Sequence, residues 1–261
     1  ARFPDYRQND GAYYLQGICF DQMDRYAESL ANFETLVDMF PDSDFAQEAY
    51  LRIGEFYFEE QDFATARAAY ERSLSYGESK WFDKILFKLG WSTYLLSEYH
   101  DAIGRFSDLL AYYSDQGGAE AALKEEALQY FAISVAEEDW DLDGERDPEF
   151  VLPRVDIYLG EDLDYTSEIL DRLAQILLEN QRYEYSIQVN QHAIQRFVCD
   201  PKNLDRSLMI VEAHSQLREV ELALAEQRAI GERFGPGTEW YACQERLGNT
   251  EALTRAETIA K

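Results

Sequence analysis

The chain has 261 residues, 46% of them hydrophobic, and sets 51 Asp and Glu against 24 Lys and Arg for a net charge of −27. Such an excess is repelled by nucleic acid and by anionic membrane surfaces, so neither is an expected partner. No apolar run approaches the roughly 20 residues that span a bilayer, and no signal-peptide pattern opens the chain, which from its ends at Ala1 and Lys261 is expected to be a piece of a longer protein.

Three stretches near the start share one pattern. Tyr13-x2-Gln16-Gly17-x2-Phe20 returns as Tyr50-x2-Ile53-Gly54-x2-Tyr57 and as Leu86-x2-Leu89-Gly90-x2-Thr93, with the glycines 37 and 36 residues apart. The spacing gathers the larger residues around one small residue on a helix face, which predicts a helix at each site. A second helix follows each: Ser29-x3-Phe33 closing at Pro41, then Ala66-x3-Tyr70, then Ala102-x3-Phe106. Small residues let the two helices approach closely, and the aromatic fills the space beside them. A period of this length, built from such pairs, indicates one elongated array of helical hairpins.

Further along the pattern erodes. Leu128-x2-Phe131-Ala132-x2-Val135 reads as a fourth first helix, and Leu170-x2-Leu173-Ala174-x2-Leu177 as a fifth, with Tyr183 and Ser186 opening its partner. Ile210-Val211-x2-His214 begins a sixth unit that continues through Ala223-x3-Gln227 to Pro236. Asn190 and Gln227 replace the aromatic of the second helix, so looser packing is expected there. The units span about residues 10–41, 47–78, 83–115, 119–160, 165–200 and 203–236. In the fourth, an acidic insertion at about 138–149 precedes a short helix from Pro148 to Leu159, capped by Asp147 and kinked or broken at Pro153. Beyond Pro236, at about 238–261, helices over Thr238–Leu247 and Glu251–Ala260 are expected to cap the last apolar face.

Nearly half of the excess charge is local. Residues 137–171 hold 14 acidic side chains and only Arg146 and Arg154 as cations. Asp139, Asp141, Asp143 and Gly144, with Asp147 at the ninth place, follow the first part of a calcium loop, in which alternate carboxylates converge on the ion and Gly permits the turn. Phe150 stands at the twelfth place, where a bidentate Glu belongs, and Glu149 comes one residue early. A solvated loop and a loop ordered by calcium both remain open. No other cofactor is expected.

Catalytic constellations are missing from the sequence. His100, His192 and His214 fall in no metal-binding spacing, and there is no nucleophile elbow or phosphate-binding loop, so an enzyme is not expected. Cys19 occupies a helical position in the first unit and is expected in the core. Cys199 and Cys243 could approach one another near the C-terminal cap, while three cysteines cannot pair fully.

The repeated residues resemble the tetratricopeptide repeat (TPR) family, whose pattern is a large residue, Leu-Gly, an aromatic, then Ala-x3-Phe and a closing Pro. The resemblance implies an all-α fold: a right-handed superhelical solenoid of antiparallel helix pairs with a C-terminal capping helix. It also implies a non-enzymatic scaffold or adaptor that binds a protein or peptide in a concave groove. Carried across place by place, the groove-lining residues are Tyr14, Ile18 and Asp21, then Leu51, Glu55 and Phe58, then Phe87, Trp91 and Tyr94. That half of the groove is aromatic and suits an extended or helical partner segment whose basic residues meet Glu55 and Asp21. Lys84 is the one cation expected beside it, so a clamp for a C-terminal carboxylate is not implied. In its acidity, Pro-terminated units and Asp-rich loop the chain is also similar to acidic TPR proteins of the bacterial cell envelope, which implies a periplasmic assembly role. The alternatives are a calcium-ordered structural module and the repeat arm of a larger enzyme, transport or motility complex.

Overall fold

A computed structural model describes residues 9–115, 123–137, 151–158 and 165–259, whose regular structure is entirely helical. The chain divides into two compact units, Ala1–Ser134 and Val135–Lys261. The first holds α1 (Asn9–Asp21), α2 (Tyr26–Met39), α3 (Ala46–Glu59), α4 (Phe63–Leu74), α5 (Phe82–Leu95), α6 (Tyr99–Asp115) and most of α7 (Lys124–Ala136). The second holds α8 (Val151–Tyr158), α9 (Thr166–Glu179), α10 (Tyr183–Arg196), α11 (Asn203–Gln216), α12 (Val220–Phe234), α13 (Glu239–Leu247) and α14 (Thr250–Ile259). From α1 to α6, and again from α9 to α12, each helix packs on the next, and α13 and α14 close over α12. The sequential cores are small: Phe33, Leu36, Ala46, Ala49 and Ile53 form one, and Leu51, Phe58, Tyr70, Ile85 and Leu89 the next.

The close approach within a pair depends on the small residue. A Cβ placed on Gly17 would lie 2.6 Å from the Phe33 ring, one on Gly54 2.4 Å from Tyr70, and one on Gly90 2.9 Å from Phe106. In the α9–α10 pair the trade runs the other way: Ala174 adds a methyl, Asn190 replaces the ring, and both are fully or almost fully buried. The looser packing expected there is therefore not found, because the gain in volume on one helix is matched by a loss on the other. Ser29 Oγ donates to the Gly17 carbonyl at 2.9 Å and Ser186 Oγ to the Ala174 carbonyl at 2.8 Å, tying the second helix to the same carbonyl in both units.

The turn inside each pair also repeats. Asp24, Gln61, Ser97, Gln181 and Arg218 are all left-handed, with φ between 58° and 64°. Each stands seven residues after the small-residue position occupied by Gly17, Gly54, Gly90, Ala174 and Val211. The N–H after the left-handed residue bonds back across the turn, as from Arg25 to the Phe20 carbonyl at 2.9 Å and from Glu219 to the His214 carbonyl at 2.9 Å. These bonds satisfy carbonyls that the helix end leaves without partners.

Three details differ from the sequence reading or complete it. Cys19 is exposed rather than in the core. The corresponding Phe56 and Ser92 are half-buried and buried, whereas α1 has no preceding helix pair among the described residues to cover it. Among the described residues α8 is continuous through Pro153 and is not broken there. Fully buried Arg154 donates to the carbonyls of Val135 and Glu137, and Arg182 to that of Ala136, so two guanidiniums cap the end of α7 where the acidic insertion begins.

In the second unit a disulfide joins Cys199 to Cys243, with Cα atoms 5.8 Å apart. Trp240 Nε1 donates to the Asp200 carbonyl at 2.8 Å and Gln244 Nε2 to the Cys199 carbonyl at 2.7 Å, so the α10–α11 loop is fastened to α13 by three links. Trp240, Ala252 and Ala256 then cover Ile230 and Phe234, which is the capping role expected of the last two helices.

Candidate partner-binding face

In the first unit α1, α3 and α5 present corresponding faces, and the structure sorts the nine expected groove positions and Lys84 by depth. Leu51, Phe58 and Phe87 belong to the core: Leu51 has no exposed surface, and Phe58 and Phe87 keep only 9% and 6% of theirs. They were expected to touch a partner, but each is covered where neighbouring first and second helices meet. Phe58 packs at 4.8 Å from Trp91 and 5.3 Å from Phe63, and Phe87 at 5.8 Å from Trp91 and 6.2 Å from Phe106. Tyr14 and Ile18 are half-buried on α1, with Tyr14 stacked on Phe45 at 4.6 Å. Trp91 and Tyr94 are half-buried on α5 and meet Tyr130 of α7 at 5.9 and 5.2 Å. The result is an aromatic shelf in two layers, a buried one beneath a partly exposed one.

The charges on this face are largely satisfied from within. Arg52 lies 3.3 Å from both Glu48 and Glu55, Lys84 also pairs with Glu55, and Trp81 Nε1 donates to Glu48 at 3.2 Å. Glu55 therefore already carries two cations of its own chain. Lys84 is not alone, since Arg52 and Lys88 share its face. Lys88 Nζ sits 4.5 Å over the Phe58 ring and 5.0 Å over Trp91. Burial lowers its pKa, against the opposing pull of Glu55. Arg52 and Lys88 follow Leu51 and Phe87 directly, and Tyr130 precedes Ala132 by two, the same offset that Arg52 and Lys88 have from Gly54 and Gly90. That common register was the available signal.

Between the first two helix pairs the face opens into a cavity of about 360 Å³. Leu30, Phe33 and Phe56 supply apolar lining, while Asp21, Glu59, Glu60 and the Arg52–Glu55 pair supply charge. Asp21 thus lies at a cavity and not along the aromatic shelf. In the second unit Asp171 bonds Arg206 at 2.7 Å and Lys202 at 3.1 Å, and Arg206 in turn reaches Ser167 and Asp200, so this polar cluster is occupied in holding α9 to α11. Asp139, Asp141, Asp143 and Asp147 lie outside the described residues; among the described residues no group of three or more His, Cys, Asp or Glu converges as metal ligands would.

Residues 11–43 and residues 47–76 each match a family model described as tetratricopeptide repeat. The first two helix pairs are tetratricopeptide repeats. The Gly17–Phe33 and Gly54–Tyr70 contacts are the packing centres of these repeats, and the cavity lies between them. No curated protein matches the chain. Among solved structures the chain is similar to PilF of Pseudomonas aeruginosa, at 13% identity over 91% of this chain and 97% of the other, with a TM-score of 0.39. It is similar to PilW, a type IV pilus biogenesis factor, at 15% identity over 91% and 99%, with a TM-score of 0.41. Similarity to the TPR2AB domain of yeast Sti1 in its pHSP90 complex is 12% over 97% of each chain, with a TM-score of 0.37. At these scores the likeness carries no argument about function.

Proposed function

We propose that the protein is a non-enzymatic scaffold that holds a segment of a protein partner on the face of α1, α3 and α5. The aromatic shelf carries this reading. Trp91 and Tyr94 are partly exposed; Trp91 rests on Phe58 and Phe87, whose burial holds it rigid, and Tyr94 packs on Tyr99 and Tyr130. Trp and Tyr so placed dominate binding energy at interfaces, because they cover much area and have little rotamer freedom to lose. Lys88, already half-desolvated over two rings, needs less dehydration than a free surface lysine when a partner covers it.

Capture from extracts of the native source tests the reading. The wild-type protein is expected to retain a partner that Trp91→Ala and Tyr94→Ala variants lose while still folding, as seen in a cooperative thermal transition. Leu51, Phe58 and Phe87 are unsuited to this test because their truncation opens the core. Recovery of the same proteins by wild type and both variants would refute the shelf as the binding surface.

A second reading places the protein in an oxidising part of the cell envelope, and the Cys199–Cys243 bond supports it, since such bonds persist away from cytosolic reductants. Thiol labelling of the native protein, mapped by residue, decides: exposed Cys19 should react at once, Cys199 and Cys243 only after reduction, and labelling of either of these two without reductant counts against the placement.

A further inference from the structure

We infer that the cavity between the two tetratricopeptide repeats receives a lysine or arginine side chain of the partner. The inference rests on the first-helix face being the binding surface, and it adds the chemistry of one anchor. Leu30, Phe33 and Phe56 form an apolar lining for the cavity, whose volume of about 360 Å³ accommodates one long side chain. Around them stand Asp21, Glu59 and Glu60.

The charge balance of the cavity is specific. Glu55 also lines it but is committed to Arg52 and Lys84, and Arg52 is shared between Glu48 and Glu55. Arg25, in the turn between α1 and α2, is engaged by Glu28 and lies 4.5 Å over the Phe20 ring. Asp21, Glu59 and Glu60 have no ion pair with a cation among the described residues. Two helix ends add to them: α1 stops at Asp21 and α3 at Glu59, with Glu60 as its C-cap, so the partial negative charge of both C-termini falls here.

Apolar lining with an acidic rim suits a methylene stem carrying a cationic head. A neutral apolar side chain would cover the same lining while stripping water from carboxylates that gain nothing in return. A small metal ion would gain nothing from Leu30, Phe33 and Phe56, and no set of three ligands converges here among the described residues.

Selection of a random peptide library displayed on phage against the protein tests the inference. The selected peptides are expected to carry Lys or Arg beside apolar residues. The variant Asp21→Asn with Glu59→Gln and Glu60→Gln should bind them about tenfold more weakly. Replacing the basic residue of the peptide by Met should cause the same loss, a comparison made on the unaltered protein and so independent of any effect of the triple variant on folding. Peptides that need Trp91 but bind the triple variant undiminished, or that contain no basic residue, overturn the inference and leave the first-helix reading standing. Failure to select any peptide counts against both.

Discussion

At Gly54 a single hydrogen decides whether two helices can touch, because a Cβ there would stand 2.4 Å from the Tyr70 ring. Gly54→Ala is expected to cost about 1–3 kcal/mol, the range for overpacking a well-filled core, read as a lower urea midpoint. Pairing it with Tyr70→Leu should restore part of the loss, since the two sites share one space and their effects will not add. Tyr70 offers a gain as well. Its hydroxyl is buried without a hydrogen-bond partner among the described residues, and burial, with Glu55 and Glu59 adding, drives its pKa far upward. Phe33 and Phe106 fill the equivalent places without a hydroxyl. Tyr70→Phe should therefore raise stability by about 1 kcal/mol, seen as a higher melting temperature. The glycine–aromatic pairing was legible in the sequence from its period alone, but the reciprocal exchange at Ala174 and Asn190 was not. A polar residue in a ring's place looks like erosion until the facing methyl is seen.

At the scale of elements, the α10–α11 loop and the last two helices act together. The Cys199–Cys243 bond closes 44 residues of chain, for which the entropy of the unfolded state predicts about 4 kcal/mol. The Cys199→Ser, Cys243→Ser variant should melt earlier than the oxidised protein, and reductant should lower the wild type but not the variant. Asp200, next to the disulfide, gives the same loop a dependence on acid. Burial alone would raise its pKa, but the Ser167 hydroxyl, the Lys202 N–H and the Arg206 guanidinium outweigh burial and hold it below the ordinary value of 3.8. A carboxyl lowered in the folded state stabilises above the ordinary value and loses that contribution as pH falls through the lower one. Asp200→Asn should therefore flatten the loss of stability below about pH 4, measured as melting temperature against pH. The pairing of Cys199 with Cys243 was one possibility in the sequence among several, because a separation of 44 residues says nothing about distance until α13 folds back across α11 and α12.

For the whole molecule, a net charge of −27 sets the terms on which the chain folds and meets partners. Raising ionic strength from about 0.01 to 0.15 M shortens the screening length from about 30 to 8 Å. Relief of self-repulsion is expected to raise the melting temperature over that range; a fall would show that screening weakens ion pairs such as Arg206–Asp171 more than it relieves repulsion. The amino-acid sequence determined by itself that this chain is a succession of helix pairs, because a period near 37 residues and alternating small and large positions depend only on what each helix does next to its neighbour. The turns show how local that rule is: Gln181 and Arg218 adopt the left-handed geometry of Asp24, although the side chains around them have drifted. The depth of each residue on the first-helix face was decided by the tertiary structure alone. Leu51 and Phe87 sank into the core, Glu55 was taken by Arg52 and Lys84, and Lys88 emerged over Phe58 and Trp91. Register says which side of a helix a residue occupies; only packing against the next pair says whether it still reaches solvent.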